Sequence, residues 1–310
     1  MRSLFRIRKL SAVFIEEGPD KGAVWHFGEP VQEQRALEAG TAWADLSHLE
    51  IIAVSGADRL TWLHALTTQH LDKLLPGHWQ EALILDAKGH IEFQFTLVDV
   101  TETVFLILDP GYIDNLLTYL EKMKFMLRVE VRNASSEFAV LRAPGLMDEI
   151  GGPFALIPRS ELGEMKAFFS KSAIQVGTWA LDAMRVAAGR PRIGFETDHK
   201  SIPNELGVLN KSVHMQKGCY RGQETVAKIF NLGNPPRRLV MLHLDGSVVT
   251  SPARGTDVYS GENRVGFIGT VARHHELGTI ALAVIKRNTA VEAELTIDGV
   301  PAIQEVIVPA

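Results

Sequence analysis

Two hydrophobic periods alternate along residues 49–133, and this alternation predicts a single α/β unit. The predicted elements are, in chain order, a strand at 50–54, a helix at 58–71, a hairpin with strands at 82–85 and 90–98, a strand at 104–108, a helix opened by Asp109-Pro110 and a strand at 127–131. The second helix shows the clearest amphipathic stripe, formed by Ile113, Leu116, Leu117, Leu120 and Met123. This order predicts a ferredoxin-like split βαβ layer with room for one added strand.

The rest of the chain divides into two further regions. Residues 1–48 and 134–234 are predicted to form a second α/β layer, whose periodicity disappears between 198 and 234. Such a long irregular stretch is typical of a functional loop. Residues 235–310 contain six short strands separated by Gly, Asn and Asp turns, which predicts a small antiparallel β-barrel or sandwich. The predicted fold class is therefore α+β with a C-terminal barrel.

Composition excludes several functional classes. The 310 residues carry a net charge of −5, which does not favour a protein built to coat nucleic acid. Cys219 is the single cysteine, so neither an internal disulfide nor a Cys-based metal site can form within one chain. The eleven histidines contain no HExxH pattern, and no dedicated metal site is predicted. Without a secretory signal or an apolar run of membrane-spanning length, the expected location is the cytoplasm.

Residues 217–224, Lys-Gly-Cys-Tyr-Arg-Gly-Gln-Glu, hold the densest candidate chemistry. Its two glycines allow a sharp turn or a close backbone approach, and Cys219 lies between Lys217 and Arg221. Nearby cations favour a thiolate, which predicts a reactive or metal-handling sulfur. A tight turn around a buried cysteine is the alternative.

A basic strip follows this motif. Five basic residues stand against the single acid Glu224 and give a local charge of +4: Lys217, Arg221, Lys228, Arg237 and Arg238. Such a strip could attract a carboxylate, a phosphate or RNA, or it could be balanced by acids elsewhere in the fold. Arg185, Arg190 and Arg192 form a second basic cluster near a helix C-terminus, where dipole complementarity accounts for part of the pattern.

The motif at 217–224 resembles the signature of the YgfZ family, folate-binding relatives of the glycine-cleavage T protein. Supporting similarities lie at 45–48, 54–58, 66–68, 185–191, 202–205, 237–239 and 266–270. The resemblance implies domains arranged around a central opening that holds tetrahydrofolate or a folate derivative. It also implies a role in maintaining iron–sulfur enzymes, including those that modify tRNA, through transient contacts with client proteins.

The resemblance supplies the expected site residues. Cys219 and Lys217 would form the functional centre, and the residues expected to bind folate are Arg238, Arg185, Tyr220, Gln223, Glu224 and Gln94. Aminomethyltransferases carry an aspartate after the first hairpin, where this chain has Phe93 and Gln94, and neither side chain can take up a proton as an aspartate would. Three alternatives stay open: a folate-dependent aminomethyltransferase or demethylase, a scaffold without ligand, and direct RNA binding, which the acidic composition favours least.

Overall fold

A computed structural model describes residues 11–144, 154–233, 235–246 and 251–309. The strands are β1 (Val13–Phe14), β2 (Val24–His26), β3 (Ala42–Asp45), β4 (Glu50–Ser55), β5 (Trp79–Leu85), β6 (Ile91–Val100), β7 (Thr103–Leu108), β8 (Glu130–Asn133), β9 (Phe138–Arg142), β10 (Phe154–Pro158), β11 (Ile174–Val176), β12 (Arg237–Leu244), β13 (Asp257–Ser260), β14 (Asn263–His274), β15 (Gly278–Lys286), β16 (Leu295–Ile297) and β17 (Val300–Val306). The helices are α1 (Pro30–Glu38), α2 (Arg59–Leu66), α3 (Ile113–Lys122), α4 (Leu162–Phe169), α5 (Thr178–Ala187), α6 (Leu209–Ser212) and α7 (Gln223–Leu232), with a 3₁₀ turn at Pro203–Glu205.

The first layer is a five-stranded antiparallel sheet in the order β5-β6-β7-β4-β8. Without β5 the order is that of a ferredoxin-like βαββαβ unit, so β5 is the added strand. Helices α2 and α3 cover one face, where Leu63, Leu116 and Leu120 are fully buried with the strand residues beneath them. The predicted amphipathic stripe is therefore the buried face of α3.

The second layer is a four-stranded sheet in the order β10-β9-β3-β11. Strand β3 precedes the first layer in sequence, whereas β9, β10 and β11 follow it. Strands β3 and β11 are parallel, and the other two pairs are antiparallel. Helices α1 and α5 pack together beside this sheet, where Ala36, Val176 and Ala180 share a small buried cluster.

The C-terminal region forms a closed six-stranded antiparallel barrel in the order β12-β15-β14-β13-β16-β17. Strand β12 pairs with both β15 and β17, and this double pairing closes the barrel. Alternate residues of β12, Val240 and Leu242, point inward against Ile268 and Ala283. The predicted α+β class with a terminal barrel is confirmed by this architecture.

The stretch between the second layer and the barrel contains more helix than its sequence predicts. Helix α7 has one fully buried residue, Val226, whereas Phe230, four positions further along the helix, is exposed. Glycines in left-handed conformation bracket this helix, at Gly222 and Gly233. Among the described residues, none of the helices combines the length and apolar character that a membrane crossing requires.

Candidate functional site

Lys217 anchors the motif loop to the first layer. Its Nζ donates hydrogen bonds to the backbone carbonyls of His64 and Thr67, at the C-terminal end of α2. The last carbonyls of a helix lack intrahelical partners and carry partial negative charge, so they suit an ammonium group. The Lys217 side chain is nearly inaccessible to solvent, and burial lowers its pKa to about 8. The lysine therefore fixes the start of the motif.

Gly222 anchors the other end of the loop by backbone contact. It has φ +81°, and a Cβ atom there would lie 2.5 Å from the carbonyl oxygen of Asp86 in the turn between β5 and β6. A Cβ atom on Gly89, in the same turn, would lie 2.9 Å from Cβ of Thr225 in α7. Neither position accepts a side chain without displacing its neighbour. The second motif glycine thus lets the loop lie directly on the β-hairpin turn.

Replacing Gly222 with alanine is expected to destabilise the protein by clearly more than replacing Gly233. Both glycines have positive φ, which costs an alanine about 1–2 kcal/mol. Gly233 has open space where a Cβ would go, whereas at Gly222 the added atom meets the Asp86 carbonyl. Urea unfolding of Gly222→Ala and of the matched control Gly233→Ala measures the difference. Equal losses in the two variants would show that the close approach contributes nothing.

Cys219 lies between these two anchors with its thiol free and exposed to solvent. Its neighbour Tyr220 is buried in the core that joins the first layer, the motif and the barrel, and this burial raises the pKa of Tyr220 to about 12. The alternative interpretation of the motif, a tight turn around a buried cysteine, is therefore wrong. A solvent-facing thiol on a loop held at both ends is accessible to a reactant or to a partner protein.

The two cations flanking the thiol have other partners. Lys217 is directed to the carbonyls of α2, and Arg221 donates from Nη1 to Glu92 Oε2 at 2.9 Å. Activation of Cys219 by these cations stays a prediction.

Gln94 lies on the sheet face that meets the motif. It pairs with Leu83 across β5 and β6, and Leu83 shares a buried cluster with Tyr220 and Val226. Phe93, by contrast, belongs to the core under α2 and α3. Gln94 is half-buried, and within the described residues its amide makes no hydrogen bond. An unused amide facing the motif suits the polar edge of a flat ligand.

Residues 6–145 match the model of the GCVT N-terminal domain family. The aminomethyltransferase of Bacillus subtilis is 23% identical over 310 residues, which cover 85% of this chain and 84% of that protein. A chloroplastic Arabidopsis thaliana protein, named as a candidate transferase, is 24% identical over 300 residues, covering 81% of this chain and 69% of the relative.

Among solved structures, the glycine cleavage system aminomethyltransferase T from Bartonella henselae superposes with a TM-score of 0.79. Its sequence identity is 17%, and the match covers 97% of this chain and 94% of that one. The superposition shows that the two chains share a fold. The N-terminal part of the chain thus resembles the GCVT N-terminal domain family, and the whole chain has the fold of that aminomethyltransferase.

The residues of the predicted basic strip point to different partners, so the strip does not form one surface. Alternation along β12 sends Arg237 toward Asp198 and Glu205, which it contacts at 2.6 and 2.8 Å, and sends Arg238 into the barrel. With Lys217 buried and Arg221 paired, Lys228 is the exposed member that extends from α7. Acids that are distant in sequence balance most of the strip's charge.

The two arginines predicted to bind folate lie in different settings. Arg185 donates to Glu196, to Thr270 and to the carbonyl of Arg190, and so links α5 to the barrel strand β14. Arg238 is fully buried and donates from Nη2 to Gln304 and to the carbonyl of Thr289. Gln223 and Glu224 occupy the first turn of α7, directly after the motif.

One ionic cluster was missed by sequence reasoning. Arg192 donates to both carboxylate oxygens of Asp20 at 2.6 Å and to Asp109 at 2.7 Å. Burial alone would raise the pKa of Asp20, but the Arg192 guanidinium outweighs it and holds that pKa below its usual range. Asp109 lies 89 positions after Asp20, and Arg192 lies a further 83 positions along the chain. No local spacing in the sequence could therefore reveal the cluster. The arginine joins the N-terminal hairpin to the first layer.

Proposed function

We propose that this protein binds tetrahydrofolate or a related folate and uses Cys219 as its functional thiol, in the manner of the YgfZ family. The proposed role is the maintenance of iron–sulfur enzymes, including enzymes that modify tRNA, in the cytoplasm. The observation that carries the proposal is the exposed Cys219 thiol on a loop fixed at Lys217 and Gly222. Such a construction keeps a reactive group accessible and immobile.

The folate that the resemblance at residues 217–224 implies is consistent with the sheet face that Gln94 shares with the motif. A pterin needs apolar walls and a few polar groups. The Gln94 amide supplies a donor and an acceptor, and it lies beside Leu83 and Tyr220, which are buried in the underlying core. A bound folate would contribute a one-carbon carrier, whereas the residues of this chain would orient its ring system.

The thiol gives the proposed centre its second function. A thiolate is a nucleophile and a soft metal ligand, and soft sulfur ligands suit iron–sulfur clusters. Because Cys219 is the single cysteine, it cannot complete the ligand set of a cluster alone. Contact with a client's cluster would therefore be shared with client residues, which fits a transient partnership.

A true aminomethyltransferase is the second candidate, because the named relatives include such enzymes. The chain lacks the expected carboxylate at Gln94, and an amide neither accepts a proton nor steadies a developing cation. Glu92 is two positions away, and its carboxylate pairs with Arg221. These two features favour folate binding without glycine-cleavage turnover.

Calorimetry with 5-formyltetrahydrofolate, together with a glycine-cleavage half-reaction assay, tests this proposal. We expect saturable folate binding, and no aminomethyl transfer from a lipoylated carrier protein to tetrahydrofolate. Gln94→Leu is expected to weaken folate binding about tenfold, since it removes a hydrogen-bonding group from a desolvated contact. The matched control is Gln80→Leu, on the neighbouring strand β5. Absence of binding at millimolar ligand would favour the scaffold, and robust turnover would favour the transferase.

A further inference from the structure

Three potential metal ligands meet where α2 ends. His64 lies in the last turn of the helix, and the chain then reverses so that His70 and Asp72 approach it. One ligand atom from each of these side chains lies within 4.8 Å of the other two. His70 Nε2 is 2.6 Å from Asp72 Oδ1, and His64 Nδ1 is 3.6 Å from the same oxygen. Two imidazoles and a carboxylate are a common ligand set for zinc.

The distances between ligand atoms are close to those that a zinc ion needs. Bond lengths of about 2.0–2.2 Å in tetrahedral geometry separate neighbouring ligand atoms by about 3.3 Å. The separations of 2.6 and 3.6 Å from Asp72 Oδ1 lie on either side of this value. Small side-chain rotations of His70 and Asp72, which are about one third exposed, would suffice to admit the ion.

The His64 ring is held in a form that can bind a metal. The backbone N–H of Leu71 donates to His64 Nδ1 at 3.2 Å, so this nitrogen carries a lone pair and not a proton. A metal ion would replace the long hydrogen bond from Leu71 with a shorter coordination bond.

A second observation at this cluster concerns unsatisfied nitrogen atoms. The rings of His70 and His214 lie 4.9 Å apart, and Nδ1 of each is buried with no hydrogen-bond partner in the described part of the chain. Buried polar atoms without partners are rare. An ion bound by His70 Nε2, the nitrogen that faces Asp72, would not reach Nδ1 of the same ring, so of these two atoms it is His214 Nδ1 that the ion could satisfy. Both histidines also line a hollow of about 550 Å³. The hollow leaves room for a further ligand or water.

We propose that His64, His70 and Asp72 bind one divalent first-row transition-metal ion of the zinc type, at a site separate from the proposed folate contact. His214, whose ring lies 4.9 Å from that of His70, is a candidate for a fourth ligand, and its backbone N–H donates to the carbonyl of Thr68, two residues before His70. The ion would connect the end of α2 to the loop that leads into the motif. Because Lys217 donates to the carbonyl of His64, the metal site and the motif are directly linked.

Zinc titration of the chelator-treated full chain tests the proposal, with a chromophoric zinc indicator as competitor. The titration uses the Cys219→Ala background, so that a thiol cannot contribute. We expect one equivalent of Zn²⁺ to bind and to raise the thermal midpoint. His70→Ala and Asp72→Asn are each expected to weaken binding about tenfold or more, since even outer-shell changes cost 10–100-fold. Co²⁺ bound at the same site should show the visible absorption of a four- or five-coordinate ion.

The matched control is His243→Gln, because His243 forms a similar but exposed pair with Glu305 at 2.9 Å. Circular dichroism verifies that each variant is folded. If His70→Ala is unstable, Asp72→Asn still tests the site, because this substitution hardly changes the size of the side chain. Unchanged zinc affinity in both cluster variants, or an equal loss in His243→Gln, would overturn the proposal and leave only adventitious surface binding. Folate binding is measured separately, so failure of the metal site is distinguishable from failure of the folate proposal.

Discussion

Replacing Cys219 with alanine is expected to abolish activity in cells while leaving the fold intact. The thiol is exposed, so its removal creates no cavity and disturbs no packing. The anchors of the loop, Lys217 and Gly222, are unchanged in this variant. The measurement is complementation of a deletion strain, read as the activity of its iron–sulfur tRNA-modifying enzymes. We expect activity at the level of the empty vector.

The controls for this experiment separate chemistry from stability. Cys219→Ser retains the size of the side chain but not the sulfur, and it should fail equally. Lys228→Ala changes an exposed residue of the adjacent helix α7 and should complement fully. Unfolding midpoints of all three variants are expected to lie near that of the original chain. Full complementation by Cys219→Ala would show that the thiol is not required.

Replacing Arg192 with methionine is expected to produce the largest loss of stability. The change leaves the carboxylates of Asp20 and Asp109 without their shared cation, in a site where Arg192 is 12% exposed and Asp20 is 10% exposed. Breaking a buried ion pair on one side costs about 3–5 kcal/mol, because the remaining charge is desolvated and unpaired. Urea denaturation measures the free energy of unfolding.

An exposed ion pair provides the matched control for Arg192. Arg264 contacts Asp257 at 2.6 Å, but its side chain is 58% exposed. Arg264→Met is expected to cost about 0–1 kcal/mol, as surface pairs do. A loss of similar size in both variants would contradict the assignment of Arg192 as the cation that joins the N-terminal hairpin to the first layer.

Local patterns were sufficient to predict the elements that pack on one face. On α3 every third or fourth residue is buried, which gives the apolar stripe. Along the barrel strands every second residue is buried, which gives the alternation. The ferredoxin-like order and the closed barrel could therefore be predicted from sequence. Helix α7 was missed, although Val226, Ile229 and Phe230 follow one another at helical spacing and glycines stand at both ends of the helix.

The candidate site was predicted less completely than the fold. Cys219 and the motif glycines stood out because they are close together in the sequence, and the structure shows what the glycines do. The sequence could not show whether the charge of the basic strip is free or paired. The partners of Arg237, for example, are Asp198 and Glu205, which lie 39 and 32 residues away. Sequence spacing does not show which acids fold back onto a cation.

The histidine cluster illustrates a different limit. His64, His70 and Asp72 have no spacing typical of a metal motif, and the sequence predicted no metal site. The three meet because α2 ends at Leu66 and the following residues reverse direction, with His64 Nδ1 accepting from Leu71. A helix end that occurs earlier than the predicted boundary at residue 71 thus brings together side chains that a continuous helix would have separated.

Alkylation of Cys219 by iodoacetamide, followed by mass spectrometry with and without 5-formyltetrahydrofolate, tests the central claim most directly. Because Cys219 is the single cysteine, every modified thiol reports on this position. We expect rapid alkylation of the native protein and a rate at least about fivefold lower at saturating folate, since a ligand at the motif would limit access to the sulfur. A thiol that reacts only after denaturation, or one whose rate is unaffected by a folate shown to be bound, would contradict the account.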